Sequence, residues 1–304
     1  MPSRRHQFLA WAIPRMRGAG EIASPEAEKA RLEAWHRTLE PRLPTQAVRG
    51  FEKRFSVVTE SVPGGRGTFA SYVVTPRHSD PRTTVVYLHG GGYVAGLDPF
   101  HVRYLTRLAD ALDARVVLPD YPVAPEHTWR DSHHALADLT ARWATDSERL
   151  VLAGDSAGGG YALALALTLR DRGGPQPDRL LLIAPWVDLT TSTPETHEFS
   201  VRDPWLFLSK LESYAGWWAG SPDDLARPEV SPALGELAGL PPTLMFCGTR
   251  DTLAPGCRLL EGRAAEAGWD LAYVEVADLV HVYPLLPWIP EAGDALARTL
   301  EFLR

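Results

Sequence analysis

Cysteine, long apolar runs and surplus positive charge are all scarce in this chain. Its two cysteines, Cys247 and Cys257, are too few for a disulfide framework. Cys247 lies in an apolar run that favours a small buried side chain, so the sequence predicts a reducing, cytoplasmic location. A formal net charge of −7 without a basic stripe argues against nucleic acid as the main partner.

The N-terminus lacks the apolar core of a signal peptide. Phe8 to Ile13 gives about six residues before proline and arginine interrupt the run. No stretch approaches the roughly 18 apolar residues of a membrane span, so stable membrane insertion is not expected. Phe8, Trp11 and Ile13 are predicted to form one side of a short amphipathic helix that packs on the protein. Contact with a lipid surface is the alternative.

What the chain does contain is a regular alternation of strands and helices. Strand-like segments at 55–59 and 68–74 flank a turn at 63–67, which predicts an antiparallel hairpin. Continuous apolar strands then alternate with helices, which predicts an α/β fold with a mostly parallel sheet covered on both faces. The strands are expected near 84–88, 115–119, 149–153, 179–184, 243–247 and 271–276, and the helices near 100–112, 131–145, 157–171, 253–267 and 290–303.

Two segments stand outside this alternation. Residues 1–45 are predicted to form two helices, the second capped by Ser24 and opened by Pro25. No strand is evident between Asp188 and Pro232, and connections of this length are typical of lids or binding elements. Aromatic residues crowd this connection, at Trp205, Phe207, Tyr214, Trp217 and Trp218.

A serine lies at the turn after a central apolar strand. Residues 150–153 lead into Gly154-Asp155-Ser156-Ala157-Gly158, and a helix of small residues follows. This arrangement predicts a serine raised on a tight strand-to-helix turn, where the helix N-terminus favours a developing negative charge. An ordinary glycine-rich turn between strand and helix is the alternative.

A second glycine-rich segment follows the strand at 84–88. In His89-Gly90-Gly91-Gly92 the glycines allow successive N–H groups to point into one cavity, where an oxyanion could be held. The competing interpretation is a dinucleotide-binding loop, but the spacing is not that of G-x-G-x-x-G. His89 is expected to brace this loop by hydrogen bonds.

An acid and a histidine follow the last two strands. Asp251 comes after the strand at 243–247, and His281 after the strand at 271–276, in the chain order of α/β hydrolases. Asp188 and Asp278 remain alternatives for the acid, and His281 could be a loop histidine without a catalytic role. No histidine spacing argues for a metal site. His133 and His134 are expected to lie mid-helix in solvent.

These ordered motifs resemble the hormone-sensitive-lipase-like family of α/β-hydrolase carboxylesterases. The resemblance covers roughly residue 68 to the C-terminus. It includes residues 120–127, Asp-Tyr-Pro-Val-Ala-Pro-Glu-His, which are similar to the family segment Tyr-Arg-Leu-Ala-Pro-Glu-His. Three positions depart from the family pattern: Pro122 stands where arginine is common, Thr252 follows the acid in place of proline, and Val282 follows the histidine in place of glycine.

The resemblance implies a serine carboxylesterase that acts on small to medium acyl esters and needs no cofactor. Ser156, Asp251 and His281 would be its catalytic residues, and the amides of Gly91, Gly92 and Ala157 its oxyanion hole. It further implies that His89, Gly90 and Glu126 support the loops. A lactone hydrolase with the same residues, or a ligand-binding protein that lacks activity, is the alternative.

The family also implies a helical cap on a single α/β-hydrolase domain spanning residues 1–304. Residues 1–45 and 188–230 would form this cap and enclose the substrate. The strand near 271–276, or the last helix, is a candidate surface for a homodimer. The predicted pocket residues are Tyr93, Trp186, Trp205, Phe207, Trp217 and Trp218.

Overall fold

A mixed eight-stranded sheet forms the centre of the structure, with strand order β1-β2-β4-β3-β5-β6-β7-β8. The structure is a computed structural model that describes residues 1–16 and 20–304. The strands are β1 (Phe55–Gly64), β2 (Gly67–Pro76), β3 (Thr83–Leu88), β4 (Ala114–Pro119), β5 (Arg149–Asp155), β6 (Arg179–Ile183), β7 (Thr243–Arg250) and β8 (Leu271–Val280). The opening hairpin pairs antiparallel, as does β2 with β4, and the other strands pair parallel.

Helices connect the parallel strands and flank the sheet. They are α1 (Arg4–Met16), α2 (Pro25–His36), α3 (Phe51–Arg54), α4 (Pro99–Leu112), α5 (His133–Asp146), α6 (Ser156–Arg172), α7 (Thr196–Arg202), α8 (Leu208–Ala219), α9 (Ala254–Ala267) and α10 (Pro290–Leu303). Ser24 caps α2 by accepting a bond from the amide of Ala27 at 3.2 Å, as the sequence predicts. The expected α/β fold is therefore observed.

The parallel register brings four loops to one edge of the sheet. Leu88 at the end of β3 pairs with Gly154 near the end of β5. The loops after β3, β5, β7 and β8 consequently leave the same edge, where open α/β sheets bind ligands. β8 is longer than expected and continues to Val280 past a register shift between Gly248 and Arg250. This extension carries the chain directly to His281.

The N-terminal helix faces the opposite way from its prediction. Ile13 is buried with His6 and Ala10, but Phe8 and Trp11 are exposed. The expectation that Phe8, Trp11 and Ile13 share one packed side is therefore wrong, because the side of α1 that carries His6, Ala10 and Ile13 meets the protein. His6 accepts a hydrogen bond from the amide of Val280 at 3.2 Å, which fixes α1 beside the segment that precedes His281.

Candidate active site

Ser156 begins α6 in a left-handed backbone conformation with φ of 52°. This conformation is costly for a residue with a Cβ and is found where the surrounding packing enforces it. The packing here is tight, because a Cβ at Gly158 would collide with the carbonyl oxygens of Leu88 and His89. Glycine at this position lets α6 approach the end of β3 and turns the Ser156 side chain upward from the sheet edge.

The structure brings Ser156, Asp251 and His281 into one hydrogen-bonded chain. The Nε2 atom of His281 lies 2.9 Å from Ser156 Oγ, and its Nδ1 atom lies 2.8 Å from Asp251 Oδ2. All three side chains are buried, with Asp251 fully removed from solvent. The spacing is that of a nucleophile, a base and the group that orients the base.

The two alternative acids lie elsewhere. Asp188 turns back on its own loop and accepts four hydrogen bonds from the amides and hydroxyls of Thr190 and Ser192. Asp278 is exposed, and its amide donates to the Thr249 hydroxyl at 2.9 Å. Only Asp251, among the three candidates, contacts His281.

The charges around His281 favour its protonated form. Burial by itself would lower the pKa of this imidazole. The negative charge and hydrogen bond of Asp251, with further contributions from Asp203 and Asp155, outweigh burial and raise the pKa above its ordinary value. An imidazolium formed during a reaction would therefore be stabilised at this site.

The glycine loop lies opposite Ser156. Gly91 and Gly92 have φ values of 124° and 63°, which glycine adopts without strain. Within residues 1–16 and 20–304, neither amide has a protein acceptor. Ala157 is the second residue of α6, so its amide has no acceptor within the helix. Among the described residues, three amides without acceptors therefore lie near the serine, two on the glycine loop and one at the start of α6.

His89 lies beneath the loop and makes the kind of contacts expected of it. Its Nδ1 atom is 2.9 Å from the Gly90 carbonyl oxygen, and its ring stacks on Tyr121 with centroids 4.1 Å apart. The Tyr121 hydroxyl donates to the His89 carbonyl at 2.7 Å. Burial lowers the pKa of His89 to about 4, so the ring is neutral near pH 7.

Asp155 is a supporting residue whose role the sequence left open. Its Oδ1 atom accepts from the Tyr87 hydroxyl at 2.7 Å and from the Gly90 amide at 2.9 Å, and lies 3.2 Å from His101 Nε2. Burial would raise the pKa of this carboxyl, but His101, Tyr87 and the Gly90 amide together lower it. The residue before the serine thus links the serine turn to the glycine loop.

A cavity of about 1110 Å³ opens above these groups. Gly90 to Gly92, Ser156 and His281 line its base. Its walls include α2, the segment before α8 and α8 itself. The residues that these elements contribute are Arg31, Leu32, Trp35, His36, Trp205, Leu206, Phe207, Lys210, Leu211 and Tyr214.

Four of the six predicted pocket aromatics do not line this cavity. Trp205 and Phe207 do line it. Tyr93 and Trp218 instead stack on each other in the core with centroids 4.3 Å apart, and Trp186 packs beside Tyr93 at 5.8 Å. Trp217 packs against Tyr214 at 5.6 Å. The pocket prediction is wrong for these four residues, because three of them are buried in the core and Trp217 packs along α8 against Tyr214.

Glu126 and His133 also differ from expectation. Glu126 is exposed and pairs with His36 of α2 at 2.8 Å instead of contacting the serine turn. It therefore joins α2 to the loop that follows β4. His133 is fully buried at the start of α5 and lies 2.7 Å from the Thr168 hydroxyl, whereas His134 is exposed as expected.

The part of the chain that the structure describes contains no group of three or more His, Cys, Asp or Glu side chains able to hold a metal ion. It also contains no helix both long and apolar enough to cross a bilayer.

Comparison with known proteins agrees with this geometry. The family model for the alpha/beta hydrolase fold matches residues 85–285. LipR of Mycobacterium tuberculosis is 34% identical over 74% of this chain and 73% of its own length. An acetyl-hydrolase of Streptomyces hygroscopicus is 34% identical over 76% of this chain and 78% of its own length. The crystal structure of an esterase from the bacterial hormone-sensitive lipase family superposes with a TM-score of 0.79 at 28% identity, covering 100% of this chain and 99% of the other.

This protein belongs to the α/β-hydrolase fold family, among relatives that are ester hydrolases. The predicted fold, the resemblance to the hormone-sensitive-lipase-like esterases and the enzyme class are thereby confirmed.

Proposed function

We propose that this protein hydrolyses small to medium acyl esters through an acyl-enzyme formed on Ser156. The observation that carries the proposal is the continuous chain of contacts from Ser156 through His281 to Asp251 at the base of the cavity. A serine, a neutral imidazole and a buried carboxylate in this order form the arrangement that activates a hydroxyl as a nucleophile.

In the first step, His281 Nε2 accepts the hydroxyl proton while Ser156 Oγ attacks the ester carbonyl. Asp251 keeps the Nδ1 proton directed toward itself and stabilises the imidazolium. The amides of Gly91, Gly92 and Ala157 receive the oxyanion of the tetrahedral intermediate. His281 then gives its proton to the departing alkoxide, which leaves as the alcohol.

In the second step, water replaces the alcohol. His281 Nε2 takes a proton from the water as its oxygen attacks the acyl carbonyl. The second tetrahedral intermediate collapses and returns the proton from His281 to Ser156 Oγ, so the carboxylic acid leaves and the enzyme is restored. Every proton in this scheme moves between groups of the chain and the substrate, so no cofactor is required.

The cavity supports the substrate class. Its volume is slightly above the range of ordinary small-molecule sites, so it has room for both the acyl and the alcohol group of an ester. Its walls carry Trp35, Trp205 and Phe207, which favour apolar acyl or alcohol groups. We further propose that α2 and the 188–230 insertion act as the cap of a single hydrolase domain, because both contribute walls above Ser156.

Turnover of p-nitrophenyl esters of increasing acyl length, with a parallel panel of lactones, tests the substrate class. Covalent labelling by an organophosphonate, followed by peptide mapping, tests the nucleophile. We expect short and medium esters to be hydrolysed with one label at Ser156, and Ser156→Ala to lose about a millionfold in kcat. Wild-type turnover in Ser156→Ala, or tight ligand binding without turnover, would overturn the proposal.

We also propose a cytoplasmic location and a homodimer paired through β8. Both cysteines are free and buried, which suits a reducing compartment.

The proposed homodimer uses the exposed edge of the sheet. β8 lies at the sheet edge, and an edge strand offers unpaired backbone groups to a second copy. Light scattering across protein concentrations, with a proline placed at exposed Ala272 in β8, tests the pairing. A wild-type monomer at every concentration would contradict it.

A further inference from the structure

A second buried carboxylate lies beside the proposed triad. Asp203 follows α7 in the 188–230 insertion and is 5% exposed. Its Oδ2 atom accepts from the Thr252 amide at 2.8 Å and from the Thr252 hydroxyl at 3.0 Å. Thr252 is the residue directly after Asp251, so Asp203 grips the loop that carries the triad acid.

The other oxygen of Asp203 orders the cavity wall. Its Oδ1 atom accepts from the amides of Trp205 at 2.8 Å and Leu206 at 3.1 Å. Trp205 in turn meets the His281 ring edge to face, with centroids 5.9 Å apart and planes at 90°. One carboxylate therefore connects the acid loop, the cavity wall and the side of the catalytic imidazole.

We propose that Asp203 is a positioning residue that fastens the 203–206 segment of the insertion to the Asp251 loop and adds a second negative charge beside the His281 imidazolium. The inference rests on the proposed function, since it assigns a role relative to Ser156, Asp251 and His281. It also gives a reason for threonine instead of proline after the triad acid. The amide and the hydroxyl of Thr252 both donate to Asp203, and proline has neither donor.

The electrostatic part of the role follows from the groups that face one another here. Asp251, Asp203 and Asp155 act on His281 from three separate segments of the chain, and each raises the pKa of the imidazole. Asp203 itself is acted on by Asp251 and His281; burial and the Asp251 charge raise the pKa of its carboxyl, and His281 opposes them. Removing the Asp203 charge should therefore make the imidazolium easier to deprotonate.

The insertion supplies a matched control. Asp188 is equally buried at 5% exposed, and its two oxygens also accept four hydrogen bonds from nearby amides and hydroxyls. Its partners are Thr190 and Ser192, neither of which touches the triad. Asp188→Asn thus removes a buried carboxylate from the same insertion whose hydrogen-bond partners lie outside the Asp251 loop.

The test compares kcat, KM and the pH profile of kcat/KM for wild type, Asp203→Asn and Asp188→Asn on one soluble ester. For Asp203→Asn we expect kcat to fall about tenfold or more, because the acid loop and Trp205 lose a shared anchor. We also expect the acidic limb to move down by at least about half a pH unit, because a negative charge near His281 is gone. In Asp188→Asn the acidic limb of the kcat/KM profile should stay at its wild-type position.

Asp203→Glu separates charge from geometry. It should keep the limb near its wild-type position while kcat falls, since the longer side chain misplaces Thr252. An Asp203→Asn enzyme with wild-type kcat and limb, or an Asp188→Asn enzyme with the same shift, would overturn the inference. If Asp203→Asn fails to fold, Thr252→Val takes its place, and wild-type kcat in both Thr252→Val and Asp203→Glu would overturn it.

Failure of the proposed function would look different. In that case Ser156→Ala would retain activity and the organophosphonate would label another residue in the wild-type enzyme. A labelled Ser156 together with unchanged Asp203 variants rejects the Asp203 role alone.

Discussion

Asp251 owes its proposed role to where it lies in the fold. It is fully buried and its Oδ1 atom accepts from the Leu253 amide at 2.9 Å, while Oδ2 faces His281. The backbone bond fixes the carboxylate so that one oxygen stays available for the imidazole. The Cys247 thiol also approaches Oδ2 at 3.7 Å, as a weak donor.

Asp251→Asn should lower kcat by about ten-thousandfold, because an amide facing Nδ1 favours the wrong imidazole tautomer. Asp278→Asn should leave kcat near wild type, since that side chain is exposed and the imidazole bonds to Asp251 and Ser156 instead. Steady-state kinetics on one ester measures both. Equal kcat for Asp251→Asn and wild type would reject Asp251 as the orienting acid.

The pH dependence of activity follows from the protonation of His281, whose pKa Asp251 helps to raise. His281 must be neutral to accept the serine proton, and its pKa is raised above the ordinary value of 6.5. We therefore expect the acidic limb of kcat/KM in the wild type to have its midpoint above pH 6.5. A midpoint below 6.5 in a profile corrected for enzyme stability would contradict the balance of charges described here.

Two helices from distant parts of the chain meet over the cavity. Glu28 of α2 is buried, accepts from the Tyr214 hydroxyl of α8 at 2.5 Å, and forms a paired contact with Arg31 at 2.7 Å. The Arg31 guanidinium holds the pKa of Glu28 below its ordinary value, so the carboxylate is charged near neutral pH. The ring of Tyr214 then packs over Gly92 of the glycine loop.

Glu28→Ala should loosen this bridge between α2 and α8. We expect Tm to fall by about 2–5 °C, because hydrogen bonds to a charged group are lost. KM for longer esters should rise more than KM for acetate esters, because the outer walls of the cavity lose their order. Thermal unfolding and ester kinetics measure the two effects, with Glu33→Ala on the same helix as control. Matching Tm and KM in the two variants would contradict the bridge.

Buried ionisable groups make the stability of the whole molecule depend on pH. Burial lowers the pKa of His133 to about 3 and that of His89 to about 4, so both must become charged when the chain unfolds in acid. Burial also raises the pKa of Asp120 to about 6, which acts in the opposite direction. The net slope of stability with pH is thus a sum of terms of both signs, and single variants are needed to separate them.

For His133 the direction in which pH changes the free energy of unfolding is definite. The folded pKa is depressed, so its contribution to stability is complete above the unfolded value of 6.5 and is lost as pH falls below it. Between pH 7 and pH 5 the loss amounts to about 2 kcal/mol. The stability gap between wild type and His133→Gln should shrink by that amount, measured by urea unfolding at both pH values. Exposed His134→Gln is the control, and a constant gap for His133→Gln would refute the assignment.

Most of the fold could be predicted from local sequence patterns. Apolar runs with turn residues between them predicted the eight strands and the helices between the parallel strands to within about five residues, because burial and turn chemistry act over short distances. No bounds were predicted for α3, α7 and α8. The serine turn could also be predicted from the sequence, because its glycines mark close backbone packing. The structure shows that Gly158 contacts the backbone at the end of β3. The order of Ser156, Asp251 and His281 could be read along the chain, because each follows a strand whose end meets the same sheet edge.

Partner choice across long separations was decided by the tertiary structure. Six aromatics looked equivalent in the sequence, but of these only Trp205 and Phe207 line the cavity, because the other four pack in the core or along α8. Glu126 pairs with His36, 90 residues away, and Asp203 reaches Thr252 over 49 residues. No local pattern encodes such contacts. The sequence by itself determined the sheet, the serine turn and the chemical types at the site, whereas packing decided which side chains line the cavity and which carboxylates lie near the imidazole.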